Sequence, residues 1–350
     1  MQLRSSKKRG FSAAAGGTGI HKDDAVEETI TLTSTAPSKP RKKAPKLTGN
    51  ELLPREPIPD DGTKVLYRYE TLLPATLVRR YKRFLADVVF LTGDSSQADA
   101  EREEVTVHCP NTGPMVGLLD EPNARVQLSK SADPKRKYAH TLEMIQISNG
   151  ERDVWVGLHS SMANKMVEKA LHARWFPELG SYDTVRREVK FAKNSRVDFI
   201  LSTTGPDGEV LHEKYVEVKS VTLATGADKD KPSRCAVFPD TVSTRAQKHV
   251  TELTELVQAS AKKATKAVSG AIVFLVQRDD CHEFAPSIVH DPKFAELCAH
   301  AAENGIQLLA YACALEPDES ACTGQVRLLH ALPLQPRAGA DGDDEDPHKS

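Results

Sequence analysis

Residues 215–223 have the sequence YVEVKSVTL, and this stretch decides the fold of the second half of the chain. Val216 and Val218 favour a buried strand, because branched side chains pack well on a pleated sheet. Successive side chains of a strand point to opposite faces, so Glu217 and Lys219 lie together on the face opposite to these valines. Burying a carboxylate and an ammonium costs free energy unless the two charges are paired. The stretch therefore predicts an interior strand with a functional ion pair, the alternative being a salt bridge on an exposed face.

A third charged residue lies on the preceding strand pattern. Asp198 stands between Val197 and Phe199 in RVDFIL, and the turn-like sequence TTGPDGE leads from there to the strand of Glu217. Adjacent strands can bring both carboxylates and Lys219 together at one end of a sheet. Oxygen ligands of this kind suit Mg²⁺ or Mn²⁺, which keep waters that a phosphate can replace. We predict phosphodiester hydrolysis here, with Asp198 and Glu217 as metal ligands and Lys219 orienting the water or the phosphate.

A basic cluster follows this strand in the segment FPDTVSTRAQKHV. Arg245, Lys248 and His249 are spaced i, i+3 and i+4, so they share one face of a predicted helix. They lie near the helix N-terminus, where the partial positive charge attracts phosphate. The alternative is a solvated basic helix face. Asp240, just before this helix, is interpreted as a capping or turn residue.

The order of patterns from residue 157 to 335 indicates an α/β domain with a mixed central sheet. Apolar residues at helical spacing predict helices in HSSMANKMVEKALHARWF, TRAQKHVTELTELVQASAKKA and DPKFAELCAHAAENG. Strand patterns lie between and after these helices. GAIVFLVQR is almost wholly apolar, as expected for a central strand covered on both faces.

Residues 62–156 contain short strand patterns separated by turn sequences, and they predict a small barrel or sandwich. Two clusters there interleave cations with aromatic rings, a combination that suits the phosphates and bases of a single strand. A strand with a basic edge and buried aromatics is the alternative. The predicted nucleic-acid-binding residues of this region are Arg79, Arg80, Lys82, Arg83, Lys135, Arg136 and Lys137.

Both ends of the 350-residue chain are polar, and we predict disordered tails at 1–61 and 336–350. Residues 1–50 have a net charge of +6, from ten basic and four acidic residues, which indicates a nuclear import signal, a nucleic-acid arm or simply a solvated tail. No apolar run is long enough to span a membrane, and the N-terminus lacks the apolar region of a secretory signal. Six dispersed cysteines without a C-x-x-C pair indicate reduced thiols. We expect an intracellular, soluble protein, in the nucleus or cytoplasm rather than the mitochondrion.

Several motifs together resemble the sugar fermentation stimulation protein family of bacteria and archaea. They are LVRRYKRFLADV, VHCPNTGPM, KRKYAHTLE, SRVDFIL, EVKSVTLA and FPDTVSTRAQKHVTEL, in that order between about Leu77 and Ala331. The resemblance implies an N-terminal OB-like β-barrel followed by a restriction-endonuclease-like PD-(D/E)xK domain. It also implies DNA binding, DNA being favoured over RNA, and a metal-dependent nuclease activity with Asp198, Glu217 and Lys219 in the catalytic places.

The chain departs from the family pattern at two points. Ala246 stands where the family usually has glycine, and the insertion GADKDKPSR lengthens a loop beside the predicted site. The leading hypothesis is a Mg²⁺- or Mn²⁺-dependent nuclease. The second is a DNA-binding regulator of sugar metabolism with a relic metal site. Direct carbohydrate chemistry is a third, although a lysine next to the carboxylates fits glycosidase chemistry poorly. The sequence leaves the oligomeric state open.

Overall fold

The structure is a computed structural model that describes residues 51–52, 63–91, 103–191, 195–225, 234–261 and 266–335. The two predicted tails lie outside the described residues, except for Glu51–Leu52, which were predicted to be disordered but form a short strand. All described residues belong to one compact unit.

An eight-stranded sheet forms the centre of this unit. From edge to edge the strands are β1 (Glu51–Leu52), β9 (Thr184–Lys190), β10 (Arg196–Thr204), β11 (Val210–Val221), β14 (Ala267–Val276), β16 (Ile306–Asp318), β17 (Thr323–Leu332) and β2 (Val65–Tyr69). In this sheet the β11–β14 and β14–β16 pairs are parallel, and the other neighbours are antiparallel. The predicted mixed sheet is therefore confirmed.

Three α-helices cover the two faces of this sheet, as their apolar spacing predicts. Helix α1 (Met162–His172) packs on the face that carries Val216 and Val218. Helices α2 (Thr244–Ala261) and α3 (Pro292–Glu303) pack on the opposite face. β14 is buried from residue 270 to 276, because helices lie on both of its faces.

The N-terminal part forms a closed barrel. The strand order is β5-β4-β3-β6-β7, and a further pairing of β5 with β7 closes the ring, while β8 extends from β7. Inward-facing apolar side chains fill it with a core separate from those of the large sheet. Its strands are β3 (Leu73–Tyr81), β4 (Leu85–Phe90), β5 (Val105–His108), β6 (Arg125–Lys130), β7 (His140–Ser148) and β8 (Asp153–Gly157).

A three-stranded sheet lies beside the large one. It consists of β12 (Leu223–Ala224), β13 (Arg234–Phe238) and β15 (Cys281–Pro286), in that order. Because β12 follows β11 almost directly, this small sheet extends the region beyond Glu217 and Lys219 toward the barrel.

The structure differs from the sequence-based prediction in that β13, β15 and β17 were not predicted, and in the position of one predicted strand. The pattern KVLYRY was assigned to the barrel, but β2 pairs with β17 at the edge of the large sheet. The barrel is thus inserted between β2 and α1. Polar contacts fix it to the large sheet, including those from the Gly157 N–H to the Gln277 carbonyl at 2.9 Å and from Gln127 to Glu319 at 2.9 Å.

The cysteines and helices agree with two further predictions. All six cysteines are free thiols and five of them are buried. In the part of the chain that the structure describes, none of the helices has both the length and the apolar character needed to cross a membrane.

Candidate metal and nucleic-acid site

The predicted site lies where β10 and β11 separate. The last β10–β11 pair on this side is Phe199 with Val216, so Asp198 stands just beyond the ladder. The Asp198 carboxylate accepts the hydrogen bond that a backbone carbonyl of β10 would otherwise accept: its Oδ2 lies 2.8 Å from the Val218 N–H. The strand divergence thus holds Asp198 against the backbone next to Glu217.

Glu217 is buried, with only 5% of its surface exposed, and its charge is compensated from two directions. The Lys219 ammonium donates to Glu217 Oε1 at 2.6 Å. The Nδ1 of His249, on the first turns of α2, lies 2.5 Å from the same oxygen. The two predicted clusters, one on the strand and one on the helix, therefore form one site.

The two carboxylates differ in acidity. Burial, followed by the charge of Glu217, raises the pKa of Asp198, and the hydrogen bond from Val218 offsets this only in part. Burial alone would also raise the pKa of Glu217, but Lys219 and His249 more than offset it and lower that pKa. Glu217 is therefore the more acidic member of the pair.

The basic face of α2 borders an open cavity of about 580 Å³ beside Glu217. Arg245, Lys248 and His249 line it together with Arg196 of β10, so the structure brings the three predicted helix residues together. Lys248 is 3.7 Å from Glu252 in an ion pair one turn away. Positive charge is therefore concentrated around His249, which contacts Glu217, although neither carboxylate lines the cavity itself. Ala246, which stands where the family usually has glycine, lies on the buried side of α2.

Asn164 is a member of this site that the sequence analysis missed. It lies on α1 and donates from Nδ2 to Asp198 Oδ1 at 2.6 Å. Both Asp198 oxygens are thus fixed by donors, one from the helix and one from the strand. The available signal was an asparagine inside a helix, where its propensity is low and a local role is expected.

The predicted basic residues of β3 and its turn have separate roles in the structure. Arg79 binds Asp87 at 2.8–2.9 Å and lies over the Tyr81 ring. Arg80 is half-buried, and its guanidinium donates to the carbonyls of Arg83, Asn111 and Gly113 at 2.6–2.8 Å. Arg80 therefore holds the barrel loop 111–113 through Nη2 alone, and its buried Nε has no hydrogen-bond partner among the described residues.

The other predicted barrel cations are exposed. Lys82 lies in the β3–β4 turn, and Arg83, beside it, donates from Nε to the Thr112 carbonyl at 3.1 Å. In the β6–β7 connection, Arg136 contacts His108 at 3.3 Å, while Lys135 and Lys137 project from the same exposed segment. These residues lie on the barrel, apart from the carboxylate site.

The donor set fits a hard divalent cation that retains water. It offers carboxylate oxygens from Asp198 and Glu217, and Glu217 Oε2 receives no hydrogen bond from a described residue. No thiolate lies among these donors, which disfavours a soft metal. Within the described ranges, no group of three or more His, Cys, Asp or Glu side chains is placed to hold a metal. Waters or substrate oxygens would have to complete the coordination.

Comparison with known proteins gives the same two-part organisation. The family model "Sugar fermentation stimulation protein RE domain" matches residues 161–319, and the model "SfsA N-terminal OB domain" matches residues 78–158. The barrel and the mixed-sheet domain that the resemblance implied are therefore both shown.

Several curated and solved proteins are similar to this chain. A sugar fermentation stimulation protein homolog from Cyanothece sp. is 41% identical over 254 residues, covering 72% of this chain and 93% of the relative. One from Picosynechococcus sp. is 43% identical over 256 residues, covering 72% and 89%. The structure of Pyrococcus furiosus SfsA in complex with Ca²⁺ superposes with a TM-score of 0.59 at 24% identity, covering 77% of this chain and 99% of that one, which shows a common fold. The chain belongs to the sugar fermentation stimulation protein family.

Proposed function

We propose that this protein is a metal-dependent nuclease that hydrolyses phosphodiester bonds in DNA. The observation that carries the proposal is the grouping of Asp198, Glu217 and Lys219 where β10 and β11 separate. Asp198 binds the backbone beside Glu217, and Lys219 binds Glu217 itself. A buried arrangement of this kind next to a basic cavity is difficult to explain by packing alone.

Asp198 and Glu217 would hold a Mg²⁺ or Mn²⁺ ion. The solved Pyrococcus furiosus relative binds Ca²⁺, another cation that prefers oxygen ligands, which supports a hard-cation site. When bound, such an ion lowers the pKa of a coordinated water and stabilises the charge that develops on a phosphate.

The side chains around the carboxylates prepare this site. Lys219 and His249 lower the pKa of Glu217, which favours an ionised carboxylate that can bind a cation. Asn164 and the Val218 N–H hold the Asp198 carboxylate in one orientation. Lys219, buried beside Glu217, can direct its ammonium protons toward a phosphate oxygen or the attacking water. These residues act by positioning and by charge.

The cavity beside α2 would hold the phosphate backbone. Arg245 and Arg196 are exposed at its mouth, and neither forms an ion pair with another described residue. Cations near a phosphate release its counterions, so binding should weaken as salt concentration rises. Exposed barrel cations such as Lys82 and Lys135 extend the basic surface.

The direct test is cleavage by the purified full chain. Labelled single- and double-stranded DNA, and RNA of the same sequence, are incubated with Mg²⁺, Mn²⁺ or EDTA. We expect divalent-dependent cleavage of DNA that Glu217→Ala abolishes while DNA binding in EDTA persists. Asp207→Asn, which removes an exposed turn carboxylate, is the matched control. Undiminished cleavage by a correctly folded Glu217→Ala variant would disprove the assignment.

A second candidate is a DNA-binding regulator with a relic metal site. One observation favours it: Glu217 Oε1 is already engaged by both Lys219 and His249, and no third acidic or histidine ligand among the described residues completes the set. This candidate predicts salt-dependent DNA binding that is unchanged by Mn²⁺, with no cleavage at any metal concentration.

A further inference from the structure

A small cavity lies between the barrel and the ends of strands β11 and β13. Its volume is about 150 Å³. A cavity of about this size in another protein accommodates one six-membered ring. Leu223, Val237 and Phe238 supply apolar surface, and polar groups from the barrel loop 111–113 line another part. An apolar surface with a few placed polar groups is typical of a site for a planar polar molecule.

The barrel side of this cavity is held in place. Arg80 binds the carbonyls of Asn111 and Gly113 at 2.7–2.8 Å, and Arg83 binds that of Thr112. Three successive carbonyls of the loop are therefore fixed by two arginines. A Cβ added at Gly113 would lie 2.9 Å from Asp240 Oδ2, so glycine permits the close approach of loop and carboxylate. The polar groups of the cavity are thus preorganised.

The hydrogen-bonding groups in the cavity are the carboxylate of Asp240, the amide of Asn111 and the hydroxyls of Thr112, Ser160, Ser220 and Thr222. Asp240 Oδ2 accepts from the Met115 N–H at 3.2 Å, and Asp240 Oδ1 receives no hydrogen bond from a described residue. Asn111 Oδ1 accepts from the Gly113 N–H at 3.0 Å, which fixes its amide and leaves Nδ2 as a donor. The cavity therefore presents an acceptor of negative charge and a neutral donor close to each other.

The cavity is next to the catalytic elements. Ser220, which lines it, follows Lys219 on β11 about 10 Å along the strand from Glu217, and alternation places its side chain on the opposite face of the sheet. Ser160, on another side, precedes Asn164 by one helical turn, about 6 Å. A nucleic-acid strand with a phosphate at the carboxylates would bring a neighbouring base to this cavity.

We propose that this cavity binds the cytosine base of a nucleotide next to the scissile phosphate. The inference rests on the proposed function, because it places a nucleic-acid strand in the site. Cytosine has the complementary edge: its exocyclic amine donates, which suits Asp240, and its N3 and O2 accept, which suits the Asn111 amide. Thymine and uracil present a carbonyl where cytosine has the amine, and that carbonyl would face the Asp240 carboxylate. A purine is larger than the single ring for which the cavity has room.

Binding without catalysis tests the inference. The probes are fluorescent 12-residue oligonucleotides of thymidine with or without one central cytidine, and the corresponding uridine RNAs, titrated with the full chain in EDTA. We expect the cytidine to tighten binding at least about fivefold, the lower end of discrimination by one bidentate base contact. Asp240→Asn keeps the side-chain size but replaces an acceptor by a donor, so it should reverse the preference in favour of thymidine. Asp207→Asn should leave the preference unchanged.

The outcomes separate this inference from the nuclease proposal. Equal binding of the thymidine and cytidine probes by the wild type overturns the cytosine site, and so does failure to bind either probe. Cytosine selectivity that survives in Asp240→Asn overturns it as well. A preference confined to the RNA probes assigns the site to RNA cytidine. Selectivity in EDTA combined with no cleavage in Mn²⁺ supports the cytosine site while disproving the nuclease.

Discussion

The carboxylate of Asp198 replaces a neighbouring strand as the acceptor for the Val218 N–H, at 2.8 Å. This single contact links the architecture of the sheet to the chemistry of the site. Because β10 turns away after Phe199, the next N–H of β11 needs another partner, and the aspartate supplies it. Asn164 holds the other oxygen of the same carboxylate, at 2.6 Å.

Substitutions of Asp198 should separate this structural role from cation binding. In Asp198→Ala the buried Val218 N–H loses its acceptor, so we expect the free energy of unfolding to fall by about 1–3 kcal/mol. Asp198→Asn keeps an acceptor and removes the repulsion from Glu217, so its stability should be close to that of the wild type. Both variants should lose Mn²⁺ binding, measured by calorimetry. Equal stability of the two in urea unfolding would contradict the role given to the Val218 contact.

Asn164 should act on cation affinity without touching the cation. Asn164→Ala removes the donor that fixes Asp198 Oδ1, and loss of such a supporting contact typically weakens metal binding about 10- to 100-fold. Mn²⁺ titration followed by tryptophan fluorescence measures the change. DNA affinity in EDTA should stay constant. Lys165→Ala, an exposed neighbour on the same helix, is the control, and equal cation affinity in both variants would refute the positioning role.

Arg80 and Lys82 should differ although both were predicted to bind nucleic acid. Arg80→Ala removes the Nη2 donor that binds three carbonyls, so the free energy of unfolding should fall by about 1–3 kcal/mol. Lys82→Ala should leave the melting temperature unchanged. If Lys82 contacts a phosphate, the slope of log K against log salt should decrease by about 0.7–0.9. Thermal unfolding and salt titrations of DNA binding distinguish the two roles.

The buried pair Arg278–Asp280 should make stability depend on pH below 4. Burial alone would raise the pKa of Asp280, but its hydrogen bonds to Arg278 lower it below the ordinary value of 3.8. A lowered pKa in the folded state gives stabilisation that is complete above pH 3.8 and is lost as the pH falls through the folded-state pKa.

Asp280→Asn provides the measurement. At pH 7 it leaves the buried Arg278 charge without its partner, and the free energy of unfolding should fall by about 3–5 kcal/mol. The difference between wild type and variant should shrink as the pH is lowered through the Asp280 pKa. A constant difference from pH 7 to pH 2 in urea unfolding would show that the pair contributes no such linkage.

The sequence was sufficient for the helices, the mixed sheet and the separate barrel, because each has a clear apolar period. β14 and α2 illustrate this, since both form where their patterns predict. The alternating apolar pattern of β2 did not show which strand it would pair with. Alternation shows that a segment is a strand, but the choice between two sheets depends on β17, far away in the chain.

The site was predictable as a set of charged groups but not as a geometry. Glu217 and Lys219 stood out because charges are unusual on an interior strand. The contact of His249 with Glu217 requires α2 to cross the sheet at one particular place, which local spacing does not specify. The hydrogen bonds of Arg80 were not predictable for a related reason: the sequence shows a cation, whereas only the folded chain shows the three carbonyls that it binds.

The pairing of β2 with β17 has a consequence for synthesis on the ribosome. Arg68 and Gln325, which are hydrogen-bonded across this pair, are separated by 257 positions. The barrel strands are close in sequence and can assemble early, whereas β2 must wait until nearly the whole polypeptide has emerged. Until then its edge is open to wrong partners. A growing chain of this protein would therefore benefit from a chaperone that shields residues 65–69 until translation is almost complete.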